Sequence, residues 1–288
     1  MTDVAWSTRQ MGGVTADEIG AGLDRLGLAG QPVAIHVSLR SFRGIEGGVA
    51  TLIDGLLSKG STLLVATMAN EAFSIPAPPD DRPARNAVDY DAKDERAAAS
   101  PWPGQTDIYD ETRTETDSWL GATSAYVAAR PDRVRGRRPY GEFTAQGPLA
   151  SALIGAETEE DVFGPLRELA KRDGRVILMG TTLTSMTLLH LAEVEAGRRP
   201  FIRWARGPDG EPVRVRGGEC SKGFDNLADV LSGIERQTRV GTSLWRAFPA
   251  REAVQLAAEE IRRNPEITRC SNPSCPECPD AIAGGPLE

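Results

Sequence analysis

The sequence predicts a layered α/β domain. Residues 32–68 follow the order strand, loop, helix, strand, which is typical of proteins in which helices pack on a sheet. Arg175–Met179 predicts a buried strand most clearly, because it is apolar after its first residue and leads through a glycine turn into a helix. The 288 residues, 40% hydrophobic and 26% charged, suffice for a large core and have a globular composition.

The elements follow in order from local patterns. Thr15 and Glu18 have the spacing of a capping box, and apolar residues follow at helical period, so a helix is predicted after Thr15. Pro32–Val37 and 61–68 predict strands, with Val49–Leu57 as the helix between them. The later elements are a helix over 118–130, a segment over 143–154, a helix ending within 168–173, the strand Arg175–Met179, a helix over 184–196, a hairpin of 201–204 with 213–216, and a helix over Ala250–Arg263.

One long segment interrupts the regular pattern. Residues 69–116 are rich in proline and charge, and loops longer than about 15 residues are usually functional or disordered. We expect an extended surface excursion that borders a site. No linker or internal repeat divides the chain, so the sequence predicts one domain over 1–268 and a Cys- and Pro-rich tail over 269–288.

Charge and hydropathy exclude several classes of function. The chain has 33 basic and 41 acidic side chains and a net charge of -8, whereas a nucleic-acid-binding surface is basic. No apolar run approaches the ~20 residues of a membrane helix, and the first residues lack the apolar core of a signal peptide. We therefore expect a soluble, cytoplasmic protein that binds neither nucleic acid nor membrane.

His190 and Glu193 are the candidate catalytic pair. They lie three positions apart on the helix after the 180–182 turn and therefore share a face. The crevice at the carboxyl end of the preceding strand is the usual ligand site of an α/β sheet. A carboxylate beside an imidazole fixes its tautomer and raises its basicity, as a general base requires. On pattern alone a buried structural histidine is the commoner explanation, but the chain has only one other histidine, His36.

The polar turn over 38–48 is a second candidate site. Its backbone amides lead into the start of a helix, and such turns bind anionic or amide-bearing groups. It has neither the Gly-Lys-Ser/Thr ending of a P-loop nor a GxGxxG motif. A plain loop and a ligand-binding loop therefore both remain open.

Several motifs occur in a fixed order along the chain. They are His-Val-Ser-Leu-Arg-Ser-Phe over 36–42 with Gly-Gly at 47–48, Phe-Thr-Ala-Gln-Gly over 143–147, Phe-Gly-Pro over 163–165, Thr-Leu-Leu-His-Leu-Ala-Glu over 187–193, and Cys-Ser-Lys-Gly-Phe over 220–224. In this order they resemble the aminoglycoside 3-N-acetyltransferase family of antibiotic N-acetyltransferases. The resemblance covers roughly residues 10–245 and implies a central mixed sheet with helices on both faces, unlike the GNAT fold.

The resemblance also implies an activity. It implies acetyl transfer from acetyl-coenzyme A to the 3-amino group of an aminoglycoside, a cationic amino sugar, with His190 as the base, Glu193 as its partner and no metal in catalysis. The oligomeric state, monomer or homodimer, stays open. The residues implied in binding the cofactor are Ser38, Leu39, Arg40, Ser41, Phe42, Thr67, Phe143 and Thr187.

The acceptor side departs from the family pattern. Most members carry His-Pro ahead of a Ser-Phe stretch, whereas this chain has Arg138 and Glu142 in place of the His and the Ser. Arg138 would repel a polycation and Glu142 would offset it. An acyltransferase of the same fold acting on another amino compound in biosynthesis, or a non-catalytic small-molecule-binding relative, are the alternatives. The candidate acceptor-binding residues are Trp102, Tyr109, Asp110 and Glu142.

The cysteines form one further pattern. Cys270, Cys275 and Cys278 cluster in the tail, and the last two have the spacing of a zinc-type pair. A complete metal site needs a fourth ligand from Cys220, a histidine or an acid. The sequence favours a reduced-thiol or structural tail, with a metal site as the alternative.

Overall fold

The computed structural model describes residues 12–99, 108–138, 140–158, 161–207, 209–218 and 220–288. The strands described there form a seven-stranded mixed sheet and a three-stranded antiparallel sheet. The strands are β1 Pro32–Val37, β2 Thr62–Ala66, β3 Ser74–Ile75, β4 Val134–Arg135, β5 Phe143–Gln146, β6 Arg175–Met179, β7 Phe201–Arg206, β8 Pro212–Gly217, β9 Arg236–Val240 and β10 Ser243–Pro249. The helices are α1 Ala16–Leu26, α2 Val49–Leu57, α3 Asn70–Phe73, α4 Tyr90–Ala99, α5 Ala122–Ala128, α6 Ala150–Ile154, α7 Gly164–Lys171, α8 Leu188–Glu195, α9 Ala228–Leu231, α10 Ala250–Arg263 and α11 Glu277–Ile282.

The large sheet has the strand order β4-β5-β2-β1-β6-β10-β9. Its central strand, β1, runs parallel to both β2 and β6, and the outer strands pair antiparallel. The chain passes from β1 through α2 to β2 on one side, and β6 joins β1 on the other side. Ligands of such sheets bind at the carboxyl ends of the strands where the strand order reverses.

Helices cover both faces of this sheet. α1, α2 and α5 pack on one face, and α6 to α10 pack on the other. Along β6, Ile177 and Met179 belong to the first core, while Val176 and Leu178 belong to the second. A strand that is buried on both faces has a continuous apolar sequence, which is why β6 was predictable.

Local signals fix the first helix. Thr15 Oγ1 accepts a hydrogen bond from the Glu18 amide at 3.3 Å, and the Thr15 amide donates to the Glu18 carboxylate at 2.9 Å. The predicted capping box is thus confirmed. The helix ends at Gly27, which adopts a left-handed conformation with φ of 71° that costs glycine little because it has no Cβ.

Two later helices are shorter than predicted. Over 118–130, a 3-10 turn at Ser118–Leu120 precedes Gly121, whose φ of 78° separates it from α5. Over 184–196, a 3-10 turn at Leu183–Ser185 comes first, and α8 follows it. Both breaks lie beside the cavity described below, so they shape its wall.

The 69–116 excursion is partly built into the fold. β3 pairs with β7, and the Asn86 side chain donates to the Ile202 carbonyl at 2.7 Å and accepts from its amide at 3.0 Å. Asp81 accepts a hydrogen bond from the Trp204 indole at 2.8 Å and pairs with Arg214. These described residues complete the small sheet, so they have a packing role that the sequence did not reveal.

The tail returns across the excursion. Arg85 donates to the carbonyls of Ala283 and Gly285, each at 2.9 Å, and Asp280 accepts from the Ala87 amide at 2.6 Å. The described tail is therefore hydrogen-bonded to the rest of the fold. Within the described residues, no helix combines the length and the apolar character needed to cross a membrane.

Candidate active site

A cavity of about 870 Å³ opens at the carboxyl ends of β1, β2 and β6. This is the point at which the strand order reverses, and the volume suits a small-molecule ligand. Its described walls come from these strand ends, from residues 119–124, from the 3-10 turn before α8, and from the loop after β8.

His190 and Glu193 meet on α8, as predicted. Nδ1 of His190 lies 2.8 Å from Oε2 of Glu193. Because an ionised carboxylate only accepts hydrogen bonds, Nδ1 carries the proton and donates it, which leaves the Nε2 lone pair unused by this contact. His190 lines the cavity although it is only 8% exposed. This is the arrangement of a base with an orienting carboxylate.

Aromatic rings and a glycine hold the imidazole. Phe163 stacks on it with a centroid distance of 6.3 Å and an interplanar angle of 19°. Phe224 meets it edge-on at 4.8 Å and 62°. The backbone of Gly218 packs so closely that a Cβ there would lie 2.3 Å from Cγ of His190. Glycine is therefore required at position 218 by the space around the histidine.

Arg198 is a member of this network that the sequence did not reveal. Its Nη1 donates to Oε1 of Glu193 at 2.6 Å and to Oγ1 of Thr268 at 2.7 Å, and Nη2 donates to the Pro265 carbonyl at 2.6 Å. The buried guanidinium thus fixes the carboxylate that orients His190. Its position just beyond α8 was visible in the sequence, but nothing local distinguished it from its neighbour Arg199.

Four of the eight predicted cofactor-binding residues line the cavity. Ser38, Leu39 and Arg40 lie where β1 passes into a 3-10 turn over Leu39–Phe42, and Thr187 lies directly before α8. The first amides of a helical turn have no acceptor within the turn, so they are suited to the polar groups of a ligand. The strand end and the histidine helix therefore contribute to one cavity.

The other four lie behind the described wall and do not line it. Ser41 Oγ donates to the Ser38 carbonyl at 2.7 Å and so braces the turn. Phe42 is buried in the core. Thr67, directly after β2, and Phe143, the first residue of β5, are buried with exposed fractions of 0% and 3%. These four side chains support the wall through packing and hydrogen bonds, and their role in binding the cofactor stays a prediction.

Tyr109 and Glu142 need correction. The Tyr109 hydroxyl donates to the Gly136 carbonyl at 2.7 Å. Glu142 Oε1 accepts from Nη2 of Arg135 at 2.9 Å, with both side chains fully buried. Burial raises the pKa of Glu142 to about 8, against the lowering effect of Arg135. Both side chains are used inside the fold and do not line the described cavity.

The remaining acceptor-side residues have other surroundings. Arg138 is buried and donates to the Thr158 carbonyl, so its charge is not presented to the described cavity. Asp110 is exposed in a turn, where Oδ1 accepts from the Thr112 amide at 2.8 Å. Trp102 lies outside the described residues.

Replacing Arg135 by methionine should lower the free energy of unfolding by about 3 kcal/mol, because the buried Glu142 carboxyl and the backbone carbonyls that Arg135 bonds lose their hydrogen-bond donor. Arg135 also donates to the carbonyls of Thr67 and Glu115, at 2.9 and 2.6 Å. The matched control is Arg137→Met at the neighbouring exposed position, where a change within about 0.5 kcal/mol is expected. Urea unfolding measures both variants, and equal stabilities would contradict a structural role for the buried pair.

His36, the second histidine, lies on the cavity wall at the end of β1. Burial lowers its pKa to about 4. It is therefore neutral at pH 7 and a weak proton acceptor, which favours His190 as the base.

The lowered pKa of His36 predicts acid sensitivity. Its unfolded pKa is about 6.5, so the unfolded chain binds a proton that the folded chain does not bind. This stabilising contribution is full above about pH 6.5 and is lost as the pH falls toward 4. His36→Gln should reduce the loss of unfolding free energy between pH 7 and about pH 4.5 by about 2 kcal/mol. Urea unfolding at both pH values tests this, and an unchanged loss would contradict it.

Comparisons with known proteins identify the family of this chain. The sequence profile of the aminoglycoside 3-N-acetyltransferase family matches residues 34–262. The chain belongs to this family. It is 31% identical to aminoglycoside N(3)-acetyltransferase VIII of Streptomyces fradiae over 286 residues, which cover 88% of this chain and 93% of the relative.

Solved structures share the fold. The structure of aminoglycoside acetyltransferase AAC(3)-Xa is 30% identical, with a TM-score of 0.68 and coverage of 88% of this chain and 94% of that chain. A variant of AAC(3)-IVa in complex with a gentamicin is 23% identical, with a TM-score of 0.71 and coverage of 94% and 98%. The predicted family and fold class are thus confirmed, and the protein is an acetyltransferase.

Proposed function

We propose that this acetyltransferase moves an acetyl group from acetyl-coenzyme A to the 3-amino group of an aminoglycoside. The His190–Glu193 pair carries the proposal, because a 2.8 Å contact at Nδ1 leaves Nε2 of a cavity-lining imidazole to accept a proton. Membership of the aminoglycoside 3-N-acetyltransferase family supports the reaction class and the kind of acceptor.

The chemistry requires a base because a protonated amine has no lone pair. In the proposed reaction the ammonium group first loses one proton to solvent, and Nε2 of His190 takes a second proton from the neutral amine as its nitrogen bonds to the thioester carbonyl carbon. The carbon–sulfur bond then breaks, and the proton held on Nε2 passes to the leaving sulfur, which gives the amide and the thiol of coenzyme A. Glu193 stabilises the imidazolium, and general-base assistance of this kind is worth roughly a hundred- to ten-thousand-fold in rate.

In this proposal the turn at the end of β1 binds the acetyl donor. Ser38, Leu39 and Arg40 line the cavity together with His190, and the backbone amides at the start of the turn are suited to polarise the thioester carbonyl. Thr187, one helical turn before His190, is proposed to lie beside the thiol end of the donor. Acetyl-coenzyme A supplies the activated acetyl group when it is bound.

Release of coenzyme A thiol tests the proposal directly. The protein is incubated with acetyl-coenzyme A and either gentamicin or apramycin, and thiol is measured against time. A product heavier by one acetyl group, with the acetyl located on the 3-amino nitrogen by NMR, is the expected result. Thiol release that does not depend on an amine, or none with any amine, would overturn it.

One observation favours a second class of acceptor. No aspartate or glutamate is among the described residues that line the cavity, and the nearby Glu193 is already paired with Arg198 at 2.6 Å. An aminoglycoside brings several ammonium groups, each of which an opposite charge would stabilise. The alternative acceptor is therefore an amino compound with fewer charges. A monoamino sugar in the same thiol assay decides between them by the larger kcat/KM.

A further inference from the structure

The four cysteines of the chain converge outside the catalytic pair. Cys220 lies in the loop after β8, Cys270 follows the 3-10 turn at Pro265–Thr268, and Cys275 and Cys278 lie in the tail. Their four sulfur atoms all lie within 4.8 Å of one another. Three of the side chains are buried and Cys220 is half-buried. No local pattern brings Cys220 to this cluster; the fold does.

We propose that Cys220, Cys270, Cys275 and Cys278 bind one structural Zn²⁺. Sulfur atoms around tetrahedral zinc, with bonds of about 2.3 Å, lie about 3.8 Å apart, so the observed cluster needs little contraction. Soft thiolates select zinc over magnesium or calcium. Four cysteine ligands leave no position for substrate, so the metal has a structural role and not a catalytic one. Binding releases the four thiol protons to solvent.

A pair of disulfides fits the arrangement less well. A disulfide brings two sulfur atoms to about 2.05 Å and has no use for a third sulfur nearby. Here all four thiols are free and mutually close. Sulfur atoms that converge on one point match a single central ion.

The hydrogen bonds around the four cysteines are those expected of a loop that holds metal ligands. The Cys270 amide donates to Sγ of Cys278 at 3.4 Å, and amide donors to a sulfur stabilise a coordinating thiolate. Asn272 organises the turn between the ligands, since its carbonyl accepts from the Cys275 amide at 3.2 Å and its side chain accepts from the Ser274 amide at 3.0 Å. The tail turn is thus held in shape from the protein side.

The metal would fasten the tail to one wall of the cavity. Cys220 follows by two positions the glycine that packs on His190, and Ser221 lines the cavity itself. Gly223 packs against the tail side, where a Cβ would lie 2.1 Å from the Thr268 carbonyl oxygen. Thr268 in turn accepts from Arg198, the partner of Glu193. The zinc site is therefore placed to hold both the loop and the residues behind the catalytic pair.

Metal analysis tests the site without any assay of activity. Protein purified without a metal-affinity tag should hold about one zinc ion per chain. Cys220→Ser and Cys278→Ser should each lower the retained zinc at least about tenfold. Ser274→Ala changes a side chain of the same turn that is not a ligand, so it should retain the metal. Wild-type protein exchanged with Co²⁺ should show the visible absorption of tetrahedral thiolate cobalt, which keeps the test valid if a serine variant fails to fold.

Two outcomes would overturn the zinc site. One is metal-free wild-type protein with four thiols open to a thiol reagent. The other is a mass lower by four hydrogens, which indicates two disulfides. A kinetic arm rests on the proposed function: removal of zinc by a chelator should raise the acceptor KM, and added Zn²⁺ should restore it. Because metal content is measured separately, failure of the zinc site and failure of the proposed reaction are distinguishable.

Discussion

Replacing His190 by alanine is expected to lower kcat by about a hundredfold or more, while the Kd for coenzyme A changes little. The imidazole is the described side chain that combines an orienting carboxylate at 2.8 Å with a surface on the cavity. Thiol release at saturating substrates gives kcat, and calorimetric titration gives the Kd.

Two further experiments separate a base from a structural histidine. Added imidazole should restore part of the turnover to His190→Ala, because the truncated side chain leaves space beside Glu193, and a packing defect would not respond. Glu193→Gln should lower kcat in the same direction but less far. Wild-type turnover in His190→Ala would remove this mechanism, whatever the melting temperature of the variant.

The catalytic pair was predictable because it is local. His190 and Glu193 are three residues apart on one helix, so their contact follows from helical geometry alone. Arg198 contacts the same carboxylate from beyond the helix, and it is held by Pro265 and Thr268 far along the chain. Only the fold brings these residues together, so the sequence could not reveal the third member of the network.

The same distinction applies to the strands. β1 and β6 were predicted because a strand buried on both faces must be apolar. β9, with the sequence Arg-Gln-Thr-Arg-Val, is the mostly exposed edge of the sheet and has no such run. β10 alternates between two environments, with Trp245 in one core and Arg246 bonded to Glu235. Its antiparallel pairing with β6 depends on tertiary contacts that local patterns do not contain.

The candidate acceptor-binding residues show that residue type alone does not identify a ligand site. Tyr109 lies beside acidic residues, and an aromatic ring in such surroundings is typical of a sugar-binding site. Its ring instead packs edge-on against Phe73 with a centroid distance of 5.2 Å. Glu142 seemed suited to a cation, and the cation it meets is Arg135 within the same chain. A charged or aromatic side chain predicts an interaction, but the sequence does not say whether the partner is a ligand or the protein itself.

Gly218→Ala is expected to lower kcat by about a hundredfold, because small misplacements of a catalytic group have effects of that size. The added Cβ would lie 2.3 Å from Cγ and 2.6 Å from Nδ1 of His190. Both distances are too short, so the imidazole must rotate or shift, and its bond to Glu193 is the contact most directly disturbed. The backbone of Gly218 is not in the left-handed region. The effect of alanine is therefore expected to come from the contact with His190 and not from backbone strain.

Gly233→Ala is the matched control for this substitution. Gly233 also lies outside the left-handed region, and a Cβ there meets nothing within 4 Å. Its kcat should equal that of the wild type, and both variants should bind coenzyme A, since neither glycine belongs to the turn at the end of β1. Loss of turnover in Gly218→Ala alone, with its circular dichroism unchanged, would tie catalysis to the position of the His190 ring. Equal turnover in the two variants would show that the ring can move away from Gly218 without consequence, and the geometry proposed for proton transfer would then be wrong.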